Sequence, residues 1–138
     1  MKGYLLDTDW VIDYLKGVPP IVTKLQALAE EGLAISVISL AELYEGVYGS
    51  GQAKRHLQGL RRFLDGVPVI GLDDATCRTF GQCRHRLRQE GQLIDNFDLL
   101  IAATCLTNRL TPVTNNVRHY ERVPELRIAS FAQPSGHA

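Results

Sequence analysis

Short, almost wholly apolar runs alternate with longer amphipathic stretches along this chain, and that alternation restricts its fold more than any other feature. The apolar runs are "KGYLL", "LAISVI", "VPVIGL", "LTPVT" and "LRIAS". They are too short to be helices of ordinary length and are bounded by Gly, Pro, Asp or Asn, so they read as strands. Between them lie segments with apolar residues at helical spacing. One runs from about Thr8 to Lys16, and "PIVTKLQALAEE" ends at Gly32. Ser39 opens "LAELYEGVY", followed by "QAKRHLQGLRRFLD", "DATCRTFGQCRHRLRQE" closed by Gly91, and "NFDLLIAATCLTN". Strands apolar on both faces and separated by helices predict a parallel sheet covered on each side, an α/β fold. No internal repeat or linker divides the 138 residues, so residues 1–131 read as one domain and 132–138, "AQPSGHA", as a disordered tail.

Composition narrows the class. The apolar share is 45% with zero formal net charge, that of a soluble globular protein. No apolar run approaches membrane-spanning length, and "YLL" is too short for a secretory core, so a cytoplasmic location without membrane contact is expected. Three cysteines, Cys77, Cys83 and Cys105, match no zinc spacing and read as small hydrophobes in a reducing compartment. The zero net charge conceals a division. Residues 1–53 carry three Lys and seven acids, residues 54–88 eight cations and three acids. The basic middle block reads as a phosphate-attracting surface or as an ordinary solvated helix face.

In open α/β sheets ligands sit beyond the carboxyl ends of the strands, and that rule sorts the acids. Asp7 follows the first strand, Glu42 lies about a turn beyond the second, Asp98 begins the last long helix, and Asn116 follows "LTPVT". Oxygen-bearing side chains from four segments are what a hard cation such as Mg²⁺ takes, if they converge. Each also has a local explanation. "SLAE" is a capping-box pattern with Ser39 as N-cap, Asp95 caps the helix that begins with Asp98 in its first turn, and Thr8 or Asp9 caps the first helix. Capping explains the acids one at a time; ion binding explains the set. His56, His85, His119 and His137 follow no ligand spacing and read as surface or structural residues.

The stretches "YLLDTDWVIDYLKG", "ISVISLAELYEGVYGS", "NFDLLIAATCLTNRL" and "PVTNNVRHYERVPELRI" together resemble the PIN-domain proteins, and among them the VapC-type toxins of toxin–antitoxin pairs. The resemblance implies a three-layer α/β/α sandwich with a mostly parallel central sheet. It also implies an acidic pocket for Mg²⁺ or Mn²⁺, endoribonuclease activity on RNA, a homodimer, and a cognate antitoxin. By the same resemblance Asp7, Glu42 and Asp98 are the catalytic acids and metal ligands. Asn116 is a weaker fourth ligand where relatives often carry an acid, and Asp9 stands where many have Asn. Arg84, Arg86 and Arg118, with His119 beside them, are candidates for holding substrate phosphates. Two other readings remain at this point. In a haloacid-dehalogenase-like phosphatase, "LLDTDWV" would supply Asp7 as nucleophile. In a non-catalytic RNA- or protein-binding module, the acids would only cap helices.

Overall fold

The computed structural model describes residues 3–129. Its element order is β1 (Tyr4–Leu6), α1 (Thr8–Leu15), α2 (Pro19–Leu28), a 3₁₀ turn (Ala29–Glu31), β2 (Leu33–Ser36), α3 (Val37–Tyr48), α4 (Ala53–Leu64), β3 (Val69–Ile70), α5 (Asp74–Gln89), α6 (Asn96–Asn108), β4 (Thr111–Val113) and α7 (Val117–Tyr120). The four strands form a wholly parallel sheet in the order β3-β2-β1-β4.

The strands are short because helices, not strand ladders, supply most of the buried surface. Neighbouring residues of β1 point to opposite faces. Leu6 joins Trp10, Ile21, Leu25, Ile35, Leu43 and Leu60 on one side, where α1 to α4 pack. Leu5 joins Leu87, Leu99, Ile101, Ala102 and Tyr120 on the other, where α5, α6 and α7 pack. These are the three layers expected. Both β1 leucines are fully buried, each stabilising the fold by about 1.5–3 kcal/mol relative to exposure.

The order 3-2-1-4 has a direct consequence for function. From β1 the chain steps outward through β2 to β3, then returns by α5 and α6 to place β4 on the opposite side of β1. The carboxyl ends of β1 and β4 therefore flank a topological switch point, where the helices that follow diverge to opposite faces.

Several boundaries differ from the sequence reading. "LAISVI" divides: Leu33–Ser36 is strand, while Val37 and Ile38 already belong to α3. The N-cap is consequently Ser36, whose hydroxyl accepts from the Ile38 N–H at 2.9 Å, and not Ser39, which is buried in the second half of the first turn. "LRIAS" makes no strand among the described residues; Ala129 forms an isolated parallel bridge with Val113. The helix over "NFDLLIAATCLTN" is as read, with Asp95 as its N-cap. The helix "DATCRTFGQCRHRLRQE" also stands, stopping at Gln89 ahead of Gly91, whose φ of +67° glycine adopts without steric cost. The 132–138 tail lies outside the described residues.

Candidate metal-dependent active site

Asp7 terminates β1 and is itself the N-cap of α1. Its Oδ1 accepts from the Thr8 N–H at 2.8 Å, and its Oδ2 from the Thr114 hydroxyl at 2.7 Å and the Tyr120 hydroxyl at 3.3 Å. The residue is only 6% exposed. Burial raises its carboxyl above the ordinary range, the hydrogen bonds oppose the rise, and the charge of Asp98 adds to it. Both of its oxygens are thus engaged by groups of the chain itself, and the phosphatase reading, with Asp7 as nucleophile, gains no support from this geometry.

Glu42 reaches the same place from α3. Its Oε1 accepts from the Thr8 hydroxyl at 2.6 Å, and that hydroxyl lies 3.0 Å from Ser39 Oγ. Its carboxyl is raised by burial first, then by Asp7, Asp98 and Asp95, with the Thr8 bond acting against them. The expected capping box, with Glu42 reaching back to Ser39, is replaced by this link to α1.

Asp98 sits in the first turn of α6, where the helix dipole favours a carboxylate, and its backbone N–H donates to Asp95 Oδ2 at 3.3 Å. Its Oδ2 accepts from Asn116 Nδ2 at 2.7 Å and lies 2.6 Å from His119 Nδ1. The side chains of this His–Asp pair are 36% and 17% exposed. Asn116 thus uses its amide nitrogen to hold Asp98, leaving its carbonyl oxygen as the atom suited to an ion. Its backbone N–H donates to Thr114 Oγ1 at 2.8 Å. A continuous path of hydrogen bonds accordingly runs from Asp7 through Thr114 and Asn116 to Asp98.

Asp9 does not supply the charge that Asn116 lacks. Its two oxygens accept from the backbone N–H groups of Trp10 at 2.7 Å and Asn115 at 3.1 Å. Trp10 Nε1 donates to Asn115 Oδ1 at 3.0 Å, a second tie between α1 and the loop after β4. Burial, then the neighbouring Asp7 charge, pushes the Asp9 carboxyl up to about 7.

Sequence reasoning set His119 beside the phosphate-binding candidates but missed its bond to Asp98. Only the one-turn helix α7, which lacks a hydrophobic period long enough to be read, folds it back onto Asp98. It also missed Tyr120, which looks like a core aromatic and is one, yet directs its hydroxyl at Asp7. The basic candidates separate. Arg84 Nε donates to Asn96 Oδ1 at 2.9 Å, two residues before Asp98. Arg86, two positions further along α5 and so on its other side, lines a cleft of about 460 Å³ with Cys83, Leu106, Pro124 and Glu125. Arg118 is exposed on α7, between Asn116 and His119.

The donor set is entirely oxygen, the chemistry a hard divalent cation requires. Among the described residues no three of His, Cys, Asp and Glu stand close enough together to cage an ion directly. Mg²⁺ commonly binds through one or two carboxylates and keeps several waters. The charge of Asp98 raises the Asp7 carboxyl, and those of Asp7 and Asp98 raise the Glu42 carboxyl, a repulsion that an intervening cation relieves. The residues fit an ion held largely through its waters.

Residues 4–126 match the PIN domain family. The chain belongs to that family. It is 33% identical to the tRNA(fMet)-specific endonuclease VapC of Shigella flexneri over 132 residues, 96% of this chain and all of that protein. It is 34% identical to ribonuclease VapC2 of Rickettsia felis over 130 residues, 93% of this chain and 97% of that one. The crystal structure of VapBC2 from Rickettsia felis bound to a promoter DNA fragment contains a chain that superposes with a TM-score of 0.88. That match has 32% identity and covers 96% of this chain and all of the other. The fold and the VapC-type resemblance read from the sequence both stand.

Proposed function

We propose that this chain is an endoribonuclease, the toxin of a type II toxin–antitoxin pair, and that it hydrolyses RNA phosphodiester bonds with Mg²⁺. The observation that carries the reading is the hydrogen-bonded convergence of Asp7, Glu42, Asp98 and Asn116 at the carboxyl edge of β1 and β4. Its relatives named as VapC ribonucleases, and the VapBC complexes that share its fold, support the activity and the pairing with an antitoxin. PIN-domain VapC nucleases depend on divalent metals; Mg²⁺, with Mn²⁺ as substitute, is the ion proposed for this chain.

Asp7 and Asp98 are assigned as the principal ligands, Glu42 to the ion or to orienting its water, and the Asn116 carbonyl as a weak further donor. When bound, the ion supplies an acidified water and neutralises charge on the phosphate. The protein's own contribution is positional. Thr114 and Tyr120 fix the Asp7 carboxylate, Thr8 fixes Glu42, and His119 with Asn116 fixes Asp98, so that each presents a set oxygen. Arg84 and Arg118, beside the acids, are assigned to substrate phosphates, with Arg86 further along α5. Homodimer formation and a cytoplasmic location complete the proposal; among the described residues no helix is long and apolar enough to cross a membrane.

The deciding experiment compares RNA ends after incubation with the wild-type chain and with Asp98→Asn, in Mg²⁺ and in EDTA. The proposal expects discrete new ends only for wild type in Mg²⁺. Equal cleavage by Asp98→Asn, with an unchanged thermal melt, overturns the ligand assignment.

A further inference from the structure

The acidic notch cannot by itself attract a polyanion, so an RNA-cleaving chain built this way needs phosphate affinity elsewhere. We propose that α4 is a second RNA-binding surface, which tracks the phosphate backbone of a long or folded RNA outside the cleavage point. The proposal rests on the ribonuclease reading above.

Four cations, Lys54, Arg55, Arg61 and Arg62, occupy one exposed face of α4 at spacings of one, seven and eight residues, with exposed Gln58 between the two pairs. At 1.5 Å per residue the pairs stand about 10 Å apart along the axis, two helical turns. The helix has no acid anywhere in Ala53–Leu64. Among the described residues none of the four cations forms an ion pair; Arg55 makes one hydrogen bond, to Gln52 at 3.2 Å. This differs from Arg78 on α5, which pairs with Asp74 at 2.8 Å. The opposite face of α4 packs on the core through buried Leu60 and partly buried Leu57, Phe63 and Leu64, which holds the basic stripe in a fixed orientation. Its supports are α1 and α3, the helices that carry Asp9 and Glu42. Four unneutralised charges on a rigid rod complement a regular row of phosphates, and three of the four are Arg, whose planar fork pairs with phosphate oxygens.

The test uses Lys54→Gln, Arg55→Gln, Arg61→Gln and Arg62→Gln together. All four side chains are exposed, and a melt checks that the fold is intact. Binding of a full-length initiator tRNA transcript is followed by anisotropy in Ca²⁺ over a salt series, and cleavage of a single-stranded hexanucleotide is followed in Mg²⁺. The dependence of log K on log salt should flatten by about 3, from roughly 0.7–0.9 per lost phosphate contact. The hexanucleotide, which offers few phosphates beyond the cleavage point, should be cut within about twofold of wild type if only the distant phosphates are lost. The triple charge-conserving variant Arg55→Lys, Arg61→Lys and Arg62→Lys should keep most of the wild-type slope. An unchanged slope in the glutamine variant overturns the proposal, as does an equal loss on the hexanucleotide. So does a variant that loses only binding to polyglutamate, which would assign the stripe to an acidic protein partner. A wild-type chain that binds the transcript with the full salt slope but cuts no RNA refutes the ribonuclease reading while leaving the binding result intact.

Discussion

Asp9→Asn gives the sharpest test of how the acid cluster is built, because its effect on stability should depend on pH. In the folded chain the Asp9 carboxyl is pushed from 3.8 up to about 7, by burial and by Asp7. Between those values the folded state holds a proton that the unfolded state has released, so stability falls as pH rises through this window. A rise of about three units corresponds to about 4 kcal/mol at full ionisation, of which roughly 2–3 kcal/mol develops between about pH 5 and pH 8.5. Asn carries no charge and escapes this cost. It has only one oxygen for the two N–H groups of Trp10 and Asn115 that Asp9 satisfies, a loss of about 1–3 kcal/mol at either pH. The variant should therefore be no more than about 1 kcal/mol different from wild type near pH 5, and more stable by about 1–3 kcal/mol near pH 8.5. Urea unfolding in EDTA at the two pH values measures both. A difference between wild type and variant that is the same at both pH values would mean that Asp9 is not held near neutrality, and that the charge coupling to Asp7 is wrong.

Thr114→Val keeps the shape of a buried side chain but removes the donor to Asp7 and the acceptor for the Asn116 N–H. It should cost about 2–4 kcal/mol in urea unfolding near neutral pH and lower Mn²⁺ affinity in calorimetry. His119→Ala removes one of two groups holding Asp98 Oδ2; Mn²⁺ affinity should fall about 10–100-fold with little change in the melt. Leu99→Ala, one residue from Asp98 but wholly buried in the α5–α6 layer, should do the opposite. It should lose about 2–5 kcal/mol of stability while the remaining folded protein binds Mn²⁺ as wild type does.

The sheet and most helices were legible because their periods are unmixed. "NFDLLIAATCLTN" and the long basic helix after Asp73 carry their own caps, and both formed where read. Reading failed where two signals overlapped. In "SVIS" two serines stand three apart around a β-branched pair; propensity favoured extending the strand and capping at Ser39, but the sheet ends at Ser36 and packing draws Val37 and Ile38 into α3. At the site, the acids were found because strand ends mark ligand positions. Their supports were not. The partnership of Asp98 with His119 spans 21 residues and depends on α7, a helix too short to announce itself by pattern. Asp9 was open to two roles, and only the fold shows both its oxygens spent on backbone.

The position of β4 beside β1 bears on how such a chain is made safely. Asp7 is synthesised well before its hydroxyl donors Thr114 and Tyr120, which lie 107 and 113 positions later in the chain. Until β4 has been synthesised, β1 has an open edge on that side, and neither Asn116 nor His119 exists to hold Asp98. A nascent or truncated fragment ending before these residues contains all three acids but no framework to aim them. For a protein that cuts RNA, the translation machinery is thereby spared the activity of every copy that has not yet reached β4 and α7.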